Sequence, residues 1–381
     1  MAMKIFYLSG KRGGYGAMRP LLKKLRDSPL TNLQICLTDQ HLSSLFGETL
    51  SEVSRDFPDF LSIDLGDYGS LPANRSLAMA SLFKALTDLL DDIQPDCVLI
   101  YGDRAESLVL ATVATNLCIK CVHLQGGDIT GSIDEHFRHA ITKLSHLHLC
   151  SCSNSHDRIL AMGESPSSII TVGDHHVDEI YAGNITPFSY LIEKLGLPGQ
   201  SFRYITLLQH SETTSVGSTP TYIRETLEAI SVFKKSNPDV CVVAIYPCSD
   251  PGYKHIIDAL NTSSAIDFIF PNLLAEDFRS LVKNSIFLIG NSSAGIIESP
   301  YLSTPSINIG RRQQFRQFTP LTHHVPHNSN DILESMTYLA QPSYLVPSFK
   351  PIYGLGRSAD LSFDAIISNL PSIPFGKSFN D

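Results

Sequence analysis

Between residues 123 and 139 the chain reads HLQGGDITGSIDEHFRH: a strand end, a double-glycine turn, then a helix start carrying Asp128, Asp134 and Glu135. Carboxylates at the mouth of a strand can move protons or stabilise a developing positive charge. Ser132 and Glu135 fit the Ser-x-x-Glu capping box, which assigns Glu135 to structure. The helix that follows is expected to bury Phe137, Ala140, Ile141 and Leu144 at helical spacing. Asp134 and Arg138 lie one turn apart on another face. They read as a surface ion pair contributing about 0.3–0.5 kcal/mol, or as a carboxylate held by its neighbour for a reaction; the ion pair is the simpler reading. Upstream, LIYGDRAES ends an apolar strand in Gly102, Asp103 and Arg104. Asp103 there suits catalysis or capping of the next helix, and its surroundings in the sequence weigh the two equally.

A second set of residues suits an anion. The first strand runs into SGKRGGYGAMRP, whose Gly10, Gly13, Gly14 and Gly16 let backbone approach a phosphate beside Arg12. The order is not G-x-G-x-x-G, which weakens a nicotinamide-cofactor reading. FLIGNSSAGIIESP is the most specific local pattern: a strand ends in Asn291-Ser292-Ser293, small residues open a helix, and Glu298 follows one turn on, suited to a ribose diol. NIGRRQQFR adds Arg311, Arg312 and Arg316, and His210 ends the strand YITLLQH. GDHHVDEI offers Asp174, His175, His176 and Asp178, but no further ligand set supports a metal. Cys118 and Cys121 form a C-x-x-C with no second pair at zinc spacing, so the eight cysteines read as reduced, buried thiols.

The elements that must position these residues alternate from end to end, short apolar strands with helical patterns. Strands are expected at KIFYLSG, LQICLT, DCVLIYGD, KCVHLQ, LHLCS and SIITVGD, then at FRYITLLQH, VCVVAIYP, IDFIFP, SIFLIGN and PSINIG. The expected class is α/β, with two Rossmann-like parallel sheets facing a cleft. The Gly, Asn and Pro of AGNITP set the boundary, giving domains at 1–185 and 186–357, then a helix and tail at 358–381. The net charge of −9, with no Lys/Arg-rich run, argues against a nucleic-acid partner. No apolar run approaches the roughly 18 residues of a membrane span. The N-terminal apolar run is too short for a signal peptide, so a cytoplasmic location is expected.

Taken together and in order, GKRGGYGAMRPL, YGDRAESLVLA, HLQGGDITGSIDEHFRHAITKLSHLH, LLQHSETT, IGNSSAGIIESP and INIGRRQ resemble the UDP-N-acetylglucosamine 2-epimerase family. The helix IDEHFRHAITKLSHLH resembles its hydrolysing branch, of sialic and legionaminic acid biosynthesis. The resemblance implies a fold of the GT-B type and UDP held mainly by the second domain. It also implies nucleotide contacts from Arg12, Arg104, His210, Ser292, Ser293, Glu298 and Arg312. Asp103 and Asp134 match two of the family's catalytic acids, and the third is usually Glu where this chain has Gln125. An amide cannot accept a proton at neutral pH, so Gln125 is expected to position rather than to transfer. Asp128 stands where the family has a longer acid, Gly14 where it has Asp, and Ser211-Glu212 where hydrolysing members commonly carry Pro-Val. The implied reaction eliminates UDP across carbons 1 and 2 of the sugar and adds water with inversion at carbon 2. It uses no metal or redox cofactor, and the implied assembly is a homo-oligomer of two or four copies. Two other readings remain: a nucleotide-sugar-binding relative in which Gln125 has disabled elimination, and another GT-B reaction, such as non-hydrolysing epimerisation or glycosyl transfer.

Overall fold

Runs such as Cys97–Tyr101, in which every residue is buried, need cover on both faces, and a parallel sheet flanked by helices supplies it. The computed structural model describes residues 2–46, 49–66, 71–199 and 201–378. Its first sheet has seven parallel strands: β1 (Met3–Ser9), β2 (Thr31–Leu37), β3 (Leu61–Ser62), β4 (Cys97–Tyr101), β5 (Lys120–Leu124), β6 (Leu147–Cys150) and β7 (Ile169–Thr171), in the order β3-β2-β1-β4-β5-β6-β7. The second has six: β8 (Arg203–Leu208), β9 (Val240–Ile245), β10 (Phe268–Phe270), β11 (Leu288–Gly290), β12 (Ser306–Ile309) and β13 (Thr322–Val325), in the order β10-β9-β8-β11-β12-β13. The two-residue β3 and the polar β13 were not expected from sequence, because neither forms an apolar run. The α/β class with two parallel sheets is as the alternating pattern implied.

Strand order reverses beside β1, which pairs β2 on one side and β4 on the other. The same happens at β8, between β9 and β11. Crevices open at such switch points, beyond the carboxyl ends of the strands. The topology therefore brings together the loops after β1, β4, β8 and β11, which carry Arg12, Asp103, His210 and Ser292–Ser293.

The last helix, Ser358–Ser368, returns to the first sheet. Ala359, Ala365 and Ile366 join the core of β1, β4 and the helix Arg12–Asp27, and Lys24 pairs with Asp360. Asp178 fixes the start of this helix by accepting from the backbone N–H groups of Ser358 and Ala359, at 2.8 and 2.6 Å. His175 Nε2 meets Ser362 Oγ at 2.9 Å. Two of the five residues of the DHHVD motif therefore hold the chain's return. Of the expected tail, residues 379–381 lie outside the described residues.

Because Ile366 is fully buried in the core of the first sheet, Ile366→Ala is expected to lower stability by about 2–4 kcal/mol. Urea unfolding followed by circular dichroism checks this. A change under about 0.5 kcal/mol, the scale of a surface substitution, would show that the last helix is only peripherally attached.

Candidate active site

The cleft between the sheets encloses about 1130 Å³ of space, open mouth included, and residues of both halves line it. Arg12, Asp103, Gln125, His210, Ser292, Ser293, Glu298 and Arg312 all line it. Asp134, Asp128 and Arg104 are not in its wall.

Asp103 follows β4 and does not cap the next helix, whose N-cap is Arg104 without a side-chain bond. Its carboxylate instead accepts from Arg138, which is almost wholly buried. Burial works to raise the Asp103 pKa, but the charges of Arg138, Lys11 and Arg316 outweigh it and hold the group well below the usual carboxylate range. The expected surface pair of Asp134 with Arg138 is thereby corrected: the arginine faces inward and serves Asp103. The capping box is corrected too. The helix begins at Asp134, Ser132 Oγ donates to Asp134 at 3.1 Å, and Glu135 accepts from the Thr130 N–H at 2.9 Å. Of the four apolar residues expected inside, only Ile141 is fully buried.

Asp134 is driven the other way. Burial, then the charges of Asp103 and Asp250, push its pKa up to about 6, against the opposing pull of Arg312 and Arg104. Two carboxyls with diverging pKa values are what acid–base chemistry needs.

Arg104 does not reach the cleft. Its guanidinium donates to Glu106, to Asp250 at 3.0 Å, and to Asp39 and Ser249 at 3.1 and 3.3 Å. It therefore ties the loops of the two sheets together. Asp128 is likewise committed: Ser151 and Ser155 donate to its Oδ1, and Arg316 Nη1 stands 2.8 Å from Oδ2. The shorter acid thus positions Arg316, which does line the cleft. Glu212 accepts from the N–H groups of Arg311 and Arg312, at 2.7 and 3.3 Å, and fixes that arginine loop.

On the second sheet, the Asn291 side chain clasps the His210 backbone, accepting from its N–H at 2.6 Å and donating to its carbonyl at 2.9 Å. His210 Nδ1 accepts the Cys248 N–H at 3.1 Å, so in the neutral ring Nε2 carries the proton and is the donor. Burial, then the Arg312 charge, holds this imidazole neutral, its pKa well below the ordinary value. The cleft closes tightly beside it: Gly131 N–H bonds the Arg312 carbonyl at 3.2 Å, and a Cβ at Gly131 would lie 2.0 Å from the Arg311 carbonyl oxygen.

Gln125 has a φ of 63°, a left-handed conformation costing about 1–3 kcal/mol in a non-glycine residue. Its amide donates to the buried Asp174, which also accepts from the His176 backbone N–H at 3.0 Å and from Nδ1 at 2.9 Å. His176 lines the cleft, as do Lys11 and Arg316. The sequence leaves Lys11 without a role, offers His176 only as a metal ligand and groups Arg316 with the anion-suited arginines; the Asp-x-His spacing of 174 and 176 is the signal for a further role of His176. Among the described residues no group of three His, Cys, Asp or Glu side chains is placed to hold a metal ion, and no helix is long and apolar enough to cross a membrane. Cys118 is exposed and Cys121 buried, both as free thiols.

The profile of the family described as UDP-N-acetylglucosamine 2-epimerase matches residues 23–367. The UDP-N-acetylglucosamine 2-epimerase of Neisseria meningitidis serogroup B is 30% identical over 334 residues, 87% of this chain and 86% of that one. The UDP-N,N'-diacetylbacillosamine 2-epimerase (hydrolyzing) of Legionella pneumophila is 31% identical over 324 residues, 83% of each. Among solved structures, the Neisseria meningitidis UDP-GlcNAc 2-epimerase bound to UDP-GlcNAc superposes with a TM-score of 0.78 at 20% identity, covering 96% of this chain and all of that one. Such neighbours assign the fold as GT-B-like.

The raised pKa of Asp134 carries a stability cost with a defined sign. A carboxyl that binds its proton more tightly when folded loses stability as pH rises from about 4 to about 6, and the loss is complete above that. Asp134→Asn is therefore expected to stabilise the protein at pH 8 by about 1–2 kcal/mol, allowing for solvent screening, and to leave it unchanged near pH 3.5. Urea midpoints at the two pH values check this; equal effects at both would show that Asp134 titrates normally.

Proposed function

From the premise that the chain belongs to the UDP-N-acetylglucosamine 2-epimerase family, we propose that it is a hydrolysing 2-epimerase. Its substrate is a UDP-N-acetylhexosamine of the GlcNAc type, plain or modified, and its products are a free ManNAc-type sugar and UDP. The observation that carries the reading is Asp103, held ionised by the buried Arg138 in a cleft whose opposite wall presents His210, Arg312 and the Ser292–Ser293 turn. The names of the Legionella relative and of a 32%-identical Campylobacter jejuni relative, a GDP/UDP-N,N'-diacetylbacillosamine 2-epimerase (hydrolyzing), support the hydrolysing branch.

The carbon 2 proton of the sugar is not acidic, so its removal must accompany cleavage of the anomeric C–O bond. The C2–H electron pair forms the C1=C2 bond, and the C1–O pair leaves with UDP. Asp103, negatively charged at neutral pH, stabilises the positive charge at carbon 1. His210 Nε2–H and Arg312 receive the diphosphate, with Arg12 and the two serines beside them, and Glu298 accepts from the ribose diol. Water then adds its hydroxyl to carbon 1, and a proton arrives at carbon 2 on the face opposite the one it left. Asp134, whose pKa burial and the Asp103 charge push up to about 6, is suited to that exchange. The sequence is redox-neutral and calls for no redox cofactor.

Arg104 and Asp128 act at one remove in this scheme. Arg104 fixes the cleft's geometry, and Asp128 aims Arg316. The division at residue 185, a cytoplasmic location and assembly of two or four copies belong to the same proposal. The second reading, a binding protein with a disabled site, rests on Gln125, whose amide cannot take a proton.

The test is incubation with UDP-N-acetylglucosamine and with its 2,4-diacetamido-2,4,6-trideoxy analogue, following the sugar by NMR. Release of UDP with a manno-configured free sugar is expected from at least one; binding without turnover of either supports the disabled site. Gln125→Glu is expected to lower turnover about tenfold or more, because it sets a second carboxylate against Asp174. A rise in turnover would mean instead that glutamine has merely damaged the site.

A further inference from the structure

Inversion at carbon 2 needs proton transfer on both faces of the sugar, hence two acid–base groups. This requirement rests on the elimination and hydration reading above. Asp103, paired with the buried Arg138, is assigned above to the charge at carbon 1, and Gln125 has no carboxyl. Asp134, set behind the wall next to Asp103 and Arg312, is the group assigned to one face, and the cleft wall must supply the other.

The DHHVD motif divides between two tasks. His175 and Asp178, three apart and so on one side of their helix, hold the last helix through Ser362, Ser358 and Ala359. Asp174 and His176 turn the other way. Asp174, wholly buried, receives Gln125 on one oxygen and the His176 ring on the other. A ring whose Nδ1–H is donated to a carboxylate has its free lone pair on Nε2. That atom stands 4.0 Å from Glu298 Oε1, in the wall that also carries Asp103 and Gln125. Capping of the helix by Asp174 explains only the backbone bond to His176. It does not explain why a left-handed glutamine from the loop after β5 is spent on the same carboxylate.

We propose that Asp174 and His176 form an acid–base dyad in which His176 Nε2 removes the proton from carbon 2 and Gln125 holds Asp174 in place. The C2–H bond breaks, its pair becomes the C1=C2 bond, the proton passes to Nε2, and the C1–O pair leaves with UDP. The imidazolium then gives its proton to solvent. Asp134 protonates carbon 2 from the other face, and water closes on carbon 1, its second proton restoring Asp134. Residue 125 thus needs no carboxyl: it acts through Asp174 as a positioning residue.

The groups facing His176 are Asp174 and Tyr101 at Nδ1, the latter at 3.2 Å, Glu298 at Nε2, and the Lys11 charge. Burial pulls the imidazolium pKa down, but Glu298 and Asp174 outweigh it and leave the group above the ordinary imidazole value. A base must be neutral to act, so kcat is expected to rise with pH on a limb above about 6.5.

The test compares the wild-type protein with His176→Asn, which keeps a donor for Asp174, and His176→Gln, which keeps an amide near the Nε2 position. Both are expected to lose about 10²–10³-fold in kcat, with KM within about threefold and the ascending pH limb gone. Asp174→Asn is expected to move that limb to lower pH. If either His176 variant keeps kcat within about threefold, or loses only in KM, the dyad is overturned and His176 serves nucleotide binding beside Glu298. If the wild-type protein releases no UDP from any nucleotide sugar, the elimination reading fails and the dyad with it. Active wild type with active variants overturns the dyad alone.

Discussion

One buried guanidinium decides where the two sheets meet. Arg104 leaves the end of β4 and binds Asp39 and Glu106 of its own half together with Asp250 of the other. Arg75 reaches Glu106 and Asp250 at 3.3 and 3.4 Å, and Arg312 stands 3.5 Å from Asp250. Three guanidiniums thus balance three carboxylates in a region with little water. Such a cluster is worth little more than an apolar contact when complete, but loss of one member strands a buried charge at about 3–5 kcal/mol. What it confers is position: the segments after β2, β4, β9 and β12 are tied together across the two halves of the cleft.

The contrasting states of Asp103 and Asp134 are products of this arrangement. Arg138 can serve Asp103 because the helix Asp134–Leu144 turns it inward, where its Nη1 also donates to the Asp128 carbonyl at 2.9 Å. With Asp103 kept charged, Asp134 feels a like charge and holds its proton longer. Adjacent acids are thereby separated into a fixed anion and a group that titrates in the working range. Asp128, Glu212 and Arg104 lie behind the wall and aim the side chains that form it.

Much of this was legible in the sequence, for a physical reason. Strands buried on both faces are continuous apolar runs, and strand ends at a switch point face a cleft, so Asp103, His210 and Ser292–Ser293 could be placed from their neighbours. Long-range pairing could not. The partner that frees Asp103 from a capping role is Arg138, 35 residues away, and the carboxylate that draws Arg104 from the cleft is Asp250, 146 residues away. The strand β13, THHV, carries two histidines and gave no apolar signal. In the sequence the polar side chains of the DHHVD motif look like one cluster suited to a metal, because spacing alone does not show which way each one turns. Helical spacing separates His175 and Asp178 from Asp174 and His176, and of the four only His176 lines the cleft.

In the proposed reaction UDP leaves by cleavage of the anomeric C–O bond, with the proton at carbon 2 exchanged across the ring. Turnover in deuterium oxide enriched in 18O water, analysed by mass spectrometry and NMR, tests it most directly. The account predicts UDP free of 18O and a manno-configured sugar with one deuterium at carbon 2. Label in UDP, or a gluco-configured sugar that retains its original hydrogen at carbon 2, would contradict it.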